Sequence, residues 1–205
     1  VQKYFSTPED VQEAKAAIGM EGKFVVGSVG RVARIKNYEL ALKAVALLNQ
    51  QGMEIHFVCY GRFDAQKDAY CAELVALTES FGITDKVHFM GNTTHVAHDI
   101  KAFDVFLMPS TTEGFGMAAI EAQAAGISTL LSTGIPQIVD VKLGLVRFLP
   151  LDDVNAWAEE IGRKRKEEEP THEEIVAAFD KRGYNSVSMI KDIEDKYLNM
   201  ICNDK

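Results

Sequence analysis

Four charged side chains stand out by type and spacing. Arg31 and Lys36 are five positions apart in GSVGRVARIKN (27–37), and Glu113 and Glu121 are eight apart in EGFGMAAIEAQAAG (113–126). Arginine offers a planar fork of donors and lysine a compact point charge, so the first pair suits a diphosphate. Gly30 gives the backbone a sharp exit just before them. The stretch is neither GxxxxGK[ST] nor GxGxxG, so it supports neither a Walker-type ATPase nor a standard dinucleotide site. Read alone, it fits a phosphate cradle and a solvated basic loop equally well.

The second pair brackets PSTTEGFG (109–116). Pro109 ends an apolar run, and Gly114 and Gly116 leave the backbone open to close approach by a ligand. A helix starting near Gly116 presents unpaired N–H groups, which attract anions and hydroxyl oxygens. Glu113 would accept hydroxyl protons beside that helix start. Glu121, just over one turn in, would reach another part of the same ligand. Two other readings stand beside this one. The acids can simply complement the positive end of the helix, or form a glycosidase pair, whose required separation the sequence does not fix.

The surrounding pattern alternates strands and helices. Strand-like runs fall at 24–29, 54–61, 86–91, 104–110, 127–133 and 144–150, and helical ones at 38–52, 65–82, 95–103 and 116–126. Nearly continuous apolar strands alternating with helices predict an α/β fold, a doubly wound parallel sheet covered on both faces. Ligands in such folds bind at the carboxyl ends of the strands, which directs attention to the loops 30–37, 61–64, 91–95 and 109–116. The charged stretch 155–181 reads as helical, with its RKRKEEE run a solvated helix face. Residues 183–205 read as a closing amphipathic helix.

Taken together and in order, GSVGRVARIKNYELALKAVALL, KVHFMG and DVFLMPSTTEGFGMAAIEAQAAGISTL resemble the C-terminal, donor-binding half of a family-4 retaining glycosyltransferase of two-domain GT-B architecture. The GR…K loop, the EGFG step, the Glu113–Glu121 spacing and the downstream EA…G carry the resemblance. VQKYFSTP resembles the linker into the second domain, so residues 1–22 read as linker-like and 1–205 as one Rossmann-like domain. The resemblance implies that Arg31 and Lys36 hold the diphosphate of a nucleotide-sugar. Glu113 would bind donor-sugar hydroxyls and act with them in the catalytic centre. The amides of Gly114, Phe115 and Gly116 would position sugar and phosphate beside Gly30. Glu121 would bind the ribose, and His88, Phe89 and Met90 would lie against the base. It implies a UDP-sugar as donor, no metal or other cofactor, and hexosyl transfer with retention to a glycan or glycolipid such as a capsular polysaccharide. The acceptor domain would lie outside this chain, which alone would transfer little. The segment 134–150 lacks the family's usual glycine-rich step.

Composition limits the partners. Net charge is -8, against the basic footprint that nucleic acid requires. No run approaches the roughly 18 apolar residues of a membrane span, and the first residues lack the apolar core of a signal peptide. Three scattered cysteines form neither a disulfide framework nor a zinc site. A cytoplasmic protein, with peripheral attachment to the inner membrane face, is the expectation. Cys59 and Trp157 read as core, His56 as structural. A GT-B nucleotide-sugar epimerase and a non-catalytic nucleotide-binding module remain as alternative functions.

Overall fold

In the computed structural model, which describes residues 1–163 and 170–184, the apolar runs pair into one sheet. Its strands are β1 (Phe24–Val29), β2 (Ile55–Tyr60), β3 (Val87–Gly91), β4 (Val105–Met108), β5 (Ser128–Ser132) and β6 (Val146–Leu149). Every pairing is parallel and the order is β3-β2-β1-β4-β5-β6. The expected doubly wound α/β fold is therefore present, with 144–150 supplying the last strand at the sheet edge.

Because side chains alternate across a pleated strand, neighbouring residues enter opposite cores. Val25, Val58, Phe106 and Leu131 pack on one face with Ala14, Ile120, Ile175 and Phe179, from α1 (Pro8–Ala17), α5 (Met117–Ala124) and α7 (His172–Lys181). Val26, Phe57, Leu107 and Leu130 pack on the other with Leu42, Leu74 and Trp157, from α2 (Tyr38–Gln50), α3 (Ala69–Phe81) and α6 (Val154–Gly162). A strand buried on both faces must be apolar at successive positions, which is why these runs do not alternate with polar residues. Trp157 is fully buried and its indole N–H donates to the Pro150 carbonyl at 2.7 Å. Cys59 is also fully buried, and burial pushes its thiol up to about 12.

The starts of α1, α3, α6 and α7 follow the side chains available as caps. Asp68 accepts from the amides of Tyr70 and Cys71, so α3 begins at Ala69 and not at 65. Within 155–181 the described residues hold two helices, and most of the RKRKEEE run, expected as a solvated face, lies outside those described. α6 ends at Gly162, Arg163 is extended, and α7 starts after Thr171, which forms a capping box with Glu174. Pro170 precedes that box and cannot continue a helix. Of the closing helix expected over 183–205, residues from 185 onward lie outside those described. Residues 1–22 hold α1, which the sequence reading did not anticipate. Thr7 and Asp10 form its capping box, and Lys15 reaches Asp104 at 2.7 Å. A short helix, α4 (Val96–Asp99), follows β3. No described helix is long and apolar enough to cross a membrane.

Backbone crowding is greatest where β1 and β2 end. The Gly30 amide donates to the Tyr60 carbonyl at 2.8 Å, and the Gly61 amide to the Gly91 carbonyl at 2.8 Å. A Cβ on Gly61 would stand 1.9 Å from the Gly30 carbonyl oxygen, with Gly61 at φ +156°. Backbone cannot yield there as a side chain can. Gly61→Ala is expected to cost about 2–3 kcal/mol of stability, read as a lowered midpoint in urea unfolding.

Candidate functional site

β1 and β4 are neighbours, yet their following connections run opposite ways: α2 leads outward to β2, and α5 leads to β5. The tips of β1 and β4 thus flank the switch point of a doubly wound sheet, where a crevice opens. Ser28 fixes this seam by donating to the Leu107 carbonyl at 2.9 Å. The loops 30–37 and 109–116 meet above it. The Thr111 amide donates to the Ile35 carbonyl at 2.8 Å.

Lys36 closes the contact. It ends a single 3-10 turn, Arg34–Lys36, and Asn37 follows at φ 51°, ψ 48° to open α2. Asparagine tolerates this left-handed conformation better than most residues. The turn sends the lysine back over the tip of β1: a Cβ on Gly30 would lie 3.3 Å from Lys36 Cε and 3.4 Å from Nζ. Only glycine leaves that floor open. The ammonium lies 2.5 Å from Glu113 Oε1, and both side chains are largely buried, at 20% and 15% exposure.

Glu113 is held from a second side. Ser110, fully buried, donates its hydroxyl to the same Oε1 at 2.6 Å. Ser132 on β5 in turn donates to the Ser110 carbonyl. Oε1 is thus doubly occupied, while Oε2 has no partner among the described residues. A carboxylate carries about four lone-pair sites, so the free oxygen can accept a ligand hydroxyl.

Beside it the backbone of 114–116 is unpaired. Gly116 takes φ 84°, ψ 43° as the cap of α5 and supplies no side-chain cap. The amides of Gly114, Phe115 and Gly116 meet no acceptor among the described residues. The Phe115 ring is 40% exposed and meets Tyr184 edge-on at 6.0 Å. Glu121, further along α5, accepts from the Tyr4 hydroxyl at 2.6 Å through Oε1.

Arg31 takes a different position from Lys36. It is exposed, has no side-chain partner among the described residues, and lines a cavity of about 320 Å³ at the tips of β1, β2 and β3. Gly30, Gly61, Arg62, Asn92 and Thr93 share this lining. Gly30 therefore borders both the Lys36–Glu113 pair and the Arg31 cavity. Arg62 and the Asn92–Thr93 step were not singled out from the sequence. Only their place in the post-strand loops 61–64 and 91–95 pointed to them.

The residues expected near a base sit on β3, beyond β2 from the Glu113 loop. His88 Nε2 lies 3.2 Å from His56 Nδ1, and Phe89 stacks on Phe63 at 4.1 Å and 3°. Met90 is 42% exposed. Gly30, Lys36 and Glu113 are thus brought together. Arg31 adjoins them through Gly30, Glu121 is engaged by Tyr4, and His88 and Phe89 are engaged within the sheet and its flanking loop.

The crevice at the switch point, with a cation–carboxylate pair on one side and a bare glycine floor, occurs in a six-stranded Rossmann-like domain matching GT-B glycosyltransferase structures. The chain belongs to the family described as glycosyl transferases group 1, whose profile matches residues 10–176. All four charged residues discussed above fall within that span. A protein named as a glycosyltransferase, EpsF of Bacillus subtilis (strain 168), is 32% identical over 176 residues, covering 85% of this chain and 44% of its own. The D-inositol 3-phosphate glycosyltransferase of Mycolicibacterium gilvum (strain PYR-GCK) is 32% identical over 162 residues, covering 76% of this chain and 35% of its own. The chain therefore spans less than half the length of these relatives. Among solved structures, Anabaena Alr3699/HepE in complex with UDP superposes with a TM-score of 0.80 at 19% identity, covering 97% of this chain and 55% of that one.

Two measurements follow from this geometry. Lys36→Met leaves a largely buried carboxylate with only the Ser110 hydroxyl, so it should cost about 1–3 kcal/mol. Adding Glu113→Gln should recover part of that loss in a double-mutant cycle of unfolding energies. The histidine pair makes a separate statement. Burial lowers the His56 and His88 values below the ordinary 6.5, and each lies close to the positive Lys86. The folded chain holds them neutral, so the unfolded chain takes up protons first. Stability is full above pH 6.5 and falls as pH drops below it. The melting temperature should be lower at pH 5.5 than at pH 7, and His88→Gln should reduce that difference.

Proposed function

We propose that this chain is the donor-binding, C-terminal domain of a retaining, family-4-type glycosyltransferase that uses a nucleotide-sugar. The observation that carries it is the Lys36–Glu113 pair across the β1–β4 switch point, at 2.5 Å, beside the unpaired amides of 114–116. Positive charge for phosphate and acceptors for sugar hydroxyls meet there over a floor with no side chain. Arg31 and Lys36 hold the diphosphate from the two sides of Gly30. The amides of Gly114, Phe115 and Gly116 add donors at the helix start. Glu113 takes sugar hydroxyls on Oε2, Glu121 takes the ribose, and the β3 segment with His88, Phe89 and Met90 borders the base.

Chemistry in such a site is electrostatic. The bond between the anomeric carbon and the phosphate oxygen breaks, and its electron pair stays on the departing diphosphate. Cations and amides fixed around that oxygen stabilise the charge as it develops. The acceptor hydroxyl bonds the anomeric carbon on the face the phosphate leaves, giving retention, and its proton goes to the leaving phosphate oxygen. No metal or organic cofactor has a step in this scheme. The HepE structures with UDP and UDP-glucose support a UDP-sugar as donor. A solved domain of Francisella tularensis LpcC described as C-terminal, with a TM-score of 0.66 over 78% of this chain, supports the domain assignment. Relatives named as a lipopolysaccharide core biosynthesis mannosyltransferase and a D-inositol 3-phosphate glycosyltransferase support a hexosyl transfer; in this reading the glycan or lipid-linked acceptor is bound by another domain, at the cytoplasmic membrane face.

Isothermal titration with UDP, GDP and ADP tests this reading. At least one should bind with a measurable heat, and no heat from a folded sample at millimolar ligand would remove the proposal. Arg31→Ala should weaken binding about tenfold, or roughly 1.4 kcal/mol. The melting temperature should stay the same, because Arg31 is exposed and has no partner to lose.

A further inference from the structure

The two acids of the site share one arrangement. Each has a single oxygen held by the protein and the other without a partner among the described residues: Glu113 by Lys36 and Ser110, Glu121 by Tyr4. For Glu113 the holding groups come from the site's own loops. For Glu121 the holder is 117 positions away in sequence, in the N-terminal segment.

That segment is not a loose strand end. Val1, Tyr4 and Phe5 pack on the core that contains Ile120 and Ala122 of α5. Gln2–Tyr4 forms a 3-10 turn, the Tyr4 amide donates to the Val1 carbonyl at 2.8 Å, and Phe5 meets the His172 ring of α7 at 4.3 Å. The turn that carries Tyr4 is thus packed on the core, with the Tyr4 hydroxyl on Glu121 Oε1. Burial and then the Glu121 carboxylate hold the phenol protonated well above its ordinary value, so it stays a donor. An exposed glutamate on a helix samples several rotamers, and ordering it on binding costs about 0.5–1.5 kcal/mol. A phenol held at 2.6 Å removes that freedom beforehand and leaves Oε2 for a ligand.

We propose that Tyr4 is a positioning residue for the nucleotide site: its hydroxyl fixes the Glu121 carboxylate so that the free oxygen is ready to accept the vicinal hydroxyls of a ribose. This rests on the nucleotide-sugar reading above. It makes the N-terminal segment part of the ligand site, though that segment touches the ligand only through Glu121.

The test is titration of this chain and of Tyr4→Phe, which keeps the ring and its packing, with UDP and GDP and with their 2′,3′-dideoxy counterparts. The wild-type chain should bind the ribonucleotide more tightly than the dideoxy form. Tyr4→Phe should lose about 2- to 10-fold for the ribonucleotide and bind the dideoxy form as the wild type does. Glu121→Gln should likewise narrow the gap between the two ligands. A role confined to packing would lower the melting temperature and weaken both ligands alike, which would overturn the proposal. Equal affinity of Tyr4→Phe and wild type for the ribonucleotide would overturn it too, with nucleotide binding intact. So would a wild type that does not distinguish the two sugars. A wild type that binds no nucleotide would remove both this inference and the reading beneath it.

Discussion

The contact between Lys36 and Glu113 ties the two halves of the sheet's open end together. It joins the loop after β1 to the loop after β4, and the Thr111–Ile35 backbone bond runs beside it. The loops of a doubly wound sheet part at this seam because the connections after β1 and β4 diverge. Nothing in the strand pairing itself holds the loops across the gap. A largely buried ion pair needs further hydrogen bonds to offset the loss of water, and Ser110 supplies one. Ser132 on β5 holds the Ser110 backbone in turn. The pair is thus the outer end of a polar chain rooted in the sheet, and the cation's position over Gly30 follows from it.

A buried lysine already paired to a glutamate is also a cation partly neutralised. An incoming phosphate would meet an ammonium whose charge is shared with Glu113, and an unshared guanidinium at Arg31. The two cations are therefore not equivalent. On the function proposed above, Lys36 would fix where the anion sits relative to Glu113. Arg31, exposed at the mouth of its cavity with Arg62 nearby, would provide attraction that salt can screen.

Much of this was legible in the sequence because the signals were local. Apolar runs at 24–29 and 54–61 announced buried parallel strands, and Gly30 marked the end of β1. Asp68 as a cap, and Pro170 with Thr171 before α7, were equally local but were read as helix interior. In 155–181 the charge pattern says which face of a helix is wet, not that α6 stops at Gly162. The tyrosine on Glu121 was not legible at all. Its partner is remote in sequence, and VQKYFSTP contains nothing that distinguishes a donor for an acid from an ordinary surface phenol. Spacing from Glu113 drew attention to Glu121, and only the fold shows what holds it. The β3 residues fall between these cases. His88 and Phe89 were singled out by position, but the structure shows that strand alternation sends them to opposite faces, one to a histidine and one to a phenylalanine.

The close approach of Gly30, Gly61 and Gly91 has one more implication. Three successive strand tips end in residues without side chains, linked by backbone hydrogen bonds that extend the ladder past the strands. The bottom of the crevice is therefore main chain, whose donors, acceptors and shape are the same whatever residues stand around it. At Gly61 this base cannot take a side chain without displacing the Gly30 carbonyl. Divergence in the chemistry of this crevice falls instead to its walls, at positions such as 62, 92 and 93.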